Sequence, residues 1–97
     1  MSTKVGAAVA VVKLNGWAVV KGDRDAISKT YKFADFKTAW AFMSASALKA
    51  EQMDHHPEWF NVYSTVEVTL TTHDANGVTE LDLTLADYMD NLAKALG

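Results

Sequence analysis

The chain has no cysteine among its 97 residues. Disulfides, zinc–thiolate sites and iron–sulfur clusters are therefore excluded. Proline is almost absent: Pro57 stands alone, and the five glycines are scattered, so no low-complexity linker divides the sequence. There is no basic excess either. Nine Lys and Arg against twelve Asp and Glu give a net charge of −3 and a pI near 5.4, which argues against direct nucleic-acid or anionic-membrane partners, since both need a positive surface. The longest apolar run, Val5 to Val12, is broken by Gly6 and falls far short of the roughly 20 residues that span a bilayer. Lys4 and Ala8-Val9-Ala10 sketch a secretory signal, but its hydrophobic region would be too short. The expectation is a soluble, unprocessed cytoplasmic protein, small enough to enter a nucleus. No glycine-rich phosphate loop and no nucleophile elbow occurs.

What is present suits one domain over residues 1–97. An apolar content of 49% can supply the core of a chain that buries roughly 65% of its unfolded surface. Residues 1–16 read ambiguously; Val5, Ala8, Val9 and Val12 would share a helical stripe, although valines also permit a strand. Trp17–Lys21 and the alternating Ile27, Lys29, Tyr31 and Phe33 flank turn residues Gly22–Asp25 and predict a hairpin. Asp35 can cap a helix continuing to Met53, with Phe36, Ala39, Trp40, Met43, Ala47 and Ala50 as its buried stripe. Pro57 ends that helix. Phe60–Tyr63 and the run to His73 predict two more strands; Val66, Val68 and Leu70 face inward and Thr65, Glu67, Thr69 and Thr71 outward, with His73 ending the polar row. Asp74–Gly77 is a loop with an Asn76-Gly77 turn. Thr84 and Asp87 form a capping box for a last helix carrying Leu85, Tyr88, Met89, Leu92 and Leu96. The expected fold is α+β: a two-layer sandwich of a four-stranded antiparallel sheet with two to three helices on one face.

The three histidines fall at His55-His56, after the long helix, and at His73. Glu51, Asp54, Asp74, Glu80 and Asp82 surround them in sequence. Glu51 lies one turn before His55 on the same helix face, within reach of that imidazole. Three readings stand: solvated surface groups; a zinc or iron site of imidazoles and a carboxylate; or metal-free acid–base catalysis. The ring vectors of neighbouring His55 and His56 diverge, and no His-x-x-x-His spacing occurs, which weighs against metal. Imidazole, with an unperturbed pKa near 6.5, offers both protonation states near neutrality.

The stretch Glu51-Gln-Met-Asp-His55-His56-Pro57-Glu-Trp-Phe-Asn-Val-Tyr63, followed at nine intervening residues by His73 and at eight more by Asp82, resembles the signature of the pterin-4a-carbinolamine dehydratases. The likeness runs from Gly16-Trp17 through Gly22-Asp-Arg-Asp-Ala-Ile27 and Phe33-Ala-Asp-Phe36 into the last helix. The short Ala/Val-rich N-terminal segment departs from the longer, more polar first helix of that family.

The resemblance implies dehydration of 4a-hydroxytetrahydropterin to quinonoid dihydropterin, in tetrahydrobiopterin recycling, with no cofactor and no metal. It implies that His55, His56 and His73 are catalytic and line the pterin pocket. His56 and His73 would be the main proton-transfer pair, with His55 aiding binding. Pro57, Thr72, His73, Asp74 and Ala75 would contact the ring, partly through backbone. Glu51 and Asp82 would act as supporting carboxylates; for Asp82 the plainer alternative is a loop or cap residue. Trp17 and Trp40 are expected in the core, and Trp59 either borders the pocket or simply packs. The resemblance further implies a homo-oligomer, dimer or tetramer. In animal members a second role exists as dimerisation cofactor of a homeodomain transcription factor, an interaction-module alternative for this chain.

Overall fold

A computed structural model describes residues 3–97. The elements are α1 (Ala7–Lys13), β1 (Ala18–Val19), β2 (Ile27–Lys32), α2 (Phe36–Met53), β3 (Glu58–Val62), β4 (Thr65–Leu70), a single 3-10 turn (His73–Ala75) and α3 (Glu80–Leu96). All strand pairs are antiparallel and the sheet order is β1-β2-β4-β3. This is the α+β arrangement expected. Met1 and Ser2 lie outside the described residues.

Alternation builds the sheet. Val66, Val68 and Leu70 of β4 and Ile27 of β2 are fully buried, while Thr30, Lys32 and Glu67 are exposed on the other face. Tyr31 and Phe33 complete the inner row and meet Phe42 of α2 at ring-centroid distances of 4.7 and 5.1 Å. Deleting a buried ring such as Phe42 costs about 3–5 kcal/mol, because the cavity cannot collapse fully. The Tyr31 hydroxyl is not left dry: it donates to Asp90 of α3 at 2.5 Å, and Lys29 and the Trp17 indole donate to the same carboxylate. Burial and that carboxylate push the phenol's ionisation well up.

Asp35 caps α2 as expected, its Oδ1 accepting from the Thr38 backbone N–H at 2.8 Å. The buried face of α2 differs from the expected stripe. Ala39, Phe42, Ser46 and Ala50 point inward, whereas Phe36, Trp40 and Ala47 lie outside, Trp40 being 56% exposed. A helix apolar on several sides offers more than one stripe, and the Tyr31–Phe33 ring cluster selects the one containing Phe42. Trp17, by contrast, is core at 5% exposure. In α1 the buried residues are Ala7 and Ala10, while Ala8, Val9 and Val12 face out; close packing on the sheet favours the smaller face.

The last helix starts earlier than expected. Thr79, not Thr84, is its N-cap, and Asp82, not Asp87, completes the capping box. The chain enters α3 straight from the 3-10 turn because Val78 is anchored from two sides: its carbonyl accepts from Val5 and Gly6, and its N–H donates to Asp25.

Candidate active site

Three connections converge at one end of the sheet: the β1–β2 loop, the segment from α2 to β3 and the turn from β4 to α3. The α2 helix ends where Asp54 adopts a left-handed conformation (φ 51°), its N–H reaching the Ala50 and Glu51 carbonyls. This reversal throws His55 and His56 off the helix axis in different directions, and Pro57 then leads into β3. On the other side β4 stops at Leu70. Thr72 makes an isolated bridge to Gly77, so His73 lies in the 3-10 turn rather than at the end of the strand. Asn76, at φ 56°, closes that turn by donating its N–H to the His73 carbonyl.

His55 turns inward. It is 8% exposed, and its Nε2 lies 2.5 Å from Oδ1 of the fully buried Asp82. The second Asp82 oxygen accepts from the Thr72 hydroxyl at 2.8 Å and from the Thr79 backbone N–H at 2.9 Å. The cap and the histidine partner, separate alternatives for Asp82 in the sequence, are one residue. The expected Glu51–His55 contact is not formed. Glu51 instead meets Nε2 of His56 at 2.8 Å, with both side chains more than half exposed. The left-handed Asp54 directs His55 into the core and leaves His56 nearer the helix end.

His73 is exposed, and its Nε2 lies 3.1 Å from Oε2 of Glu58. Glu58 is two residues past His56, so the His73 turn and the His-His-Pro segment meet at this carboxylate. A second link runs from His55 through Asp82 to Thr72, the neighbour of His73. His73 thus meets the segment that follows His56 at Glu58, and His55 reaches the neighbour of His73 through Asp82, whereas the His56 ring is bonded to Glu51 alone. Each ring has Nε2 on a different carboxylate. An ionised carboxylate only accepts hydrogen bonds, so each ring donates through Nε2, and Nδ1 is the nitrogen that no carboxylate engages. Among the described residues, no three His, Asp or Glu side chains converge as a set able to hold a metal ion.

Of the other candidates, Pro57 and Ala75 are half-buried and Asp74 is exposed beside His73. Thr72 is already committed. Its hydroxyl bonds Asp82 and Thr79, and its carbonyl accepts from Ala75 and Gly77. Trp59 is half-buried and packs against the core.

Two charged residues here escaped the sequence reading. Arg24 grips Glu58 with both terminal nitrogens, at 2.9 and 2.6 Å; this hydrogen bonding, with a smaller contribution from His73, holds the Glu58 carboxyl below the usual range. Asp25 accepts N–H bonds from Val78 (2.8 Å) and Ala7 (3.1 Å), and the Val78 bond is the main reason its carboxyl is likewise lowered. Their only signal was their place in the Gly22–Ile27 turn. A cleft of about 440 Å³ opens beside His73, bounded partly by Arg24, Asp25 and Thr71.

Comparison with known proteins gives a consistent result. The family model described as pterin 4 alpha carbinolamine dehydratase matches residues 2–92. A protein of Dinoroseobacter shibae named "Putative pterin-4-alpha-carbinolamine dehydratase" is 65% identical over 78 residues, covering 80% of this chain and 79% of that one. One of the same name from Paraburkholderia xenovorans is 55% identical over 85 residues, 88% of each chain. The crystal structure of a transcriptional coactivator/pterin dehydratase from Brucella melitensis superposes with a TM-score of 0.88 at 49% identity, covering 94% of this chain and 99% of that one. A pterin dehydratase-like protein identified as a RuBisCO assembly factor in the alpha-carboxysome gives 0.69 at 24% identity, over 81% of this chain and 90% of that one, and shows the shared fold alone.

Proposed function

We infer the function from one premise: this chain belongs to the pterin 4 alpha carbinolamine dehydratase family. Family and relatives support a pterin-4-alpha-carbinolamine dehydratase. The finer reading is our proposal: metal-free general acid–base elimination of water from 4a-hydroxytetrahydropterin, yielding quinonoid dihydropterin for cofactor recycling.

The elimination needs two proton movements. The C4a–O bond breaks and the hydroxyl leaves as water, so a donor must supply it a proton. N5 loses its proton, and the electron pair left behind forms the C4a=N5 bond. His56 and His73 are proposed as the proton-transfer pair, because both rings are exposed and keep Nδ1 free. His55, buried and clamped by Asp82, is proposed to shape and orient the pocket. Pro57, Asp74 and Ala75 lie on the two segments that carry these rings and are proposed to flank the pterin. The observation that supports the reading is that each imidazole is tied through Nε2 to its own carboxylate, with the His73 ring bonded to Glu58 just past His56 and Pro57.

Assembly into a homo-oligomer is also proposed. Phe60, Val62 and Tyr63 on and after edge strand β3, and Phe36 and Trp40 on α2, are large apolar side chains left exposed. The test of function is a stopped-flow assay with freshly generated 4a-carbinolamine across pH. Acceleration over the buffer reaction, lost in histidine variants, supports the reading; a rate equal to buffer overturns it.

A further inference from the structure

We propose that Glu58 is a positioning residue for His73, and that Arg24 governs how much of the Glu58 carboxylate His73 receives. This deepens the proton-transfer reading of His73 and rests on it.

Three chain segments build the unit. Arg24 comes from the loop between β1 and β2. Glu58 opens β3, where its pairing with Thr69 of β4 fixes its place along the sheet. His73 opens the turn that follows β4. One oxygen is contested: Oε2 of Glu58 accepts from Nη2 of Arg24 at 2.6 Å and from Nε2 of His73 at 3.1 Å, while Oε1 takes Nη1 of Arg24 at 2.9 Å. The shorter, forked, charge-assisted bond fixes the carboxylate plane. His73 receives the longer bond to an oxygen whose charge is already shared.

All three side chains are well exposed, at 50%, 43% and 77%. Exposed pairs contribute little to folding, so the arrangement has scant use as a structural brace. Its chemical consequences are larger. The bond to Glu58 holds the ring so that Nδ1 is its free nitrogen, and it sets a negative charge beside Nε2. Arg24 opposes that charge from the far side. The other charged groups lining the same cleft are Lys4, Asp23 and Asp25, and Asp74 adjoins His73 in sequence. Asp25 is engaged by backbone N–H groups, which leaves Glu58 as the carboxylate bonded to the ring.

The test compares Glu58→Gln, Glu58→Asp and Arg24→Gln in the full chain, by the pH profile of kcat/KM and by NMR titration of the His73 ring protons. Glu58→Gln should lower kcat about tenfold with little change in KM and move the His73 transition to lower pH. Arg24→Gln should move it to higher pH, because Glu58 then serves His73 alone. Glu58→Asp should restore part of the rate. Shifts in the same direction, or a native titration in Glu58→Gln, overturn the proposal. Opposite ring shifts with unchanged turnover in all three variants overturn its catalytic half, and native turnover in His73→Ala would identify the proton-transfer reading as what had failed.

Discussion

Asp82 joins the start of α3 to His55: one carboxylate oxygen lies 2.5 Å from the buried Nε2, while the other accepts from the Thr79 N–H that begins the helix. A buried carboxylate with this many donors is costly to leave alone. Replacing His55 with alanine removes one partner and exposes the other to an unpaired environment, a change that costs about 3–5 kcal/mol in buried pairs. His55→Ala should therefore lower the urea midpoint strongly. Asp82→Asn keeps the shape and should cost about 1–3 kcal/mol. A His55→Ala variant as stable as the native protein would show that the Asp82 contact does not brace the fold.

His56 and His73 should behave in the opposite way. Both are exposed at the surface, so alanine there should change stability by no more than about 0.5 kcal/mol. Turnover should fall by about 10²–10⁴-fold, the usual loss on removing a general acid or base. Paired urea unfolding and single-turnover kinetics check both halves. Near-native turnover in both variants would dismiss the proton-transfer assignment.

The parts of this fold that were legible in the sequence are those with only one consistent pattern. Strand β4 alternates strictly, and Val66, Val68 and Leu70 are indeed buried. Asp35 caps α2 because it precedes a long uninterrupted helical run. The face of α2 was not legible, since Phe36–Trp40–Ala47 and Ala39–Phe42–Ser46 are both apolar or small at helical spacing; only the rings on β2 distinguish them. The start of α3 failed similarly. Thr79-x-x-Asp82 and Thr84-x-x-Asp87 have the same capping pattern, and anchoring of Val78 by Val5, Gly6 and Asp25 favours the first. Within the candidate site, Glu51 and Asp82 were visible as carboxylates, but their partners were not, because a left-handed Asp54 decides which imidazole turns inward. Glu58 and Arg24 meet through strand register and loop reach, for which local spacing carries no signal.

Asp25 predicts an acid-dependent stability. Its carboxyl is held below its ordinary value of 3.8, chiefly by the Val78 N–H, with Ala7 and Lys4 assisting against partial burial. A carboxyl lowered on folding binds its proton more weakly in the native state than in the unfolded chain. Its contribution is therefore present above the unfolded value and is lost as pH falls through the folded one. Asp25→Asn should be less stable than the native protein at neutral pH, and the gap should narrow as pH drops below 3.8. Urea unfolding along a pH series measures this. A gap constant from neutral to strongly acidic pH would mean that the charge of Asp25 contributes nothing and only its shape matters.

Trp40 tests the proposed assembly. Its ring stacks on Phe36 at 6.1 Å with an interplanar angle of 24°, and the two side chains are 56% and 48% exposed. Neither belongs to the core cluster, so neither is held there by the chain's own packing. Covering what remains of two such aromatics would contribute about 1–3 kcal/mol each to association, enough to matter when repeated across a symmetric contact. Trp40→Arg should lower the oligomeric order seen by sedimentation equilibrium while leaving helix content and the folded subunit intact. The same order in the variant would remove the α2 face from the interface. A native protein already monomeric at micromolar concentration would remove the interface altogether and leave the exposed pair without an occupant.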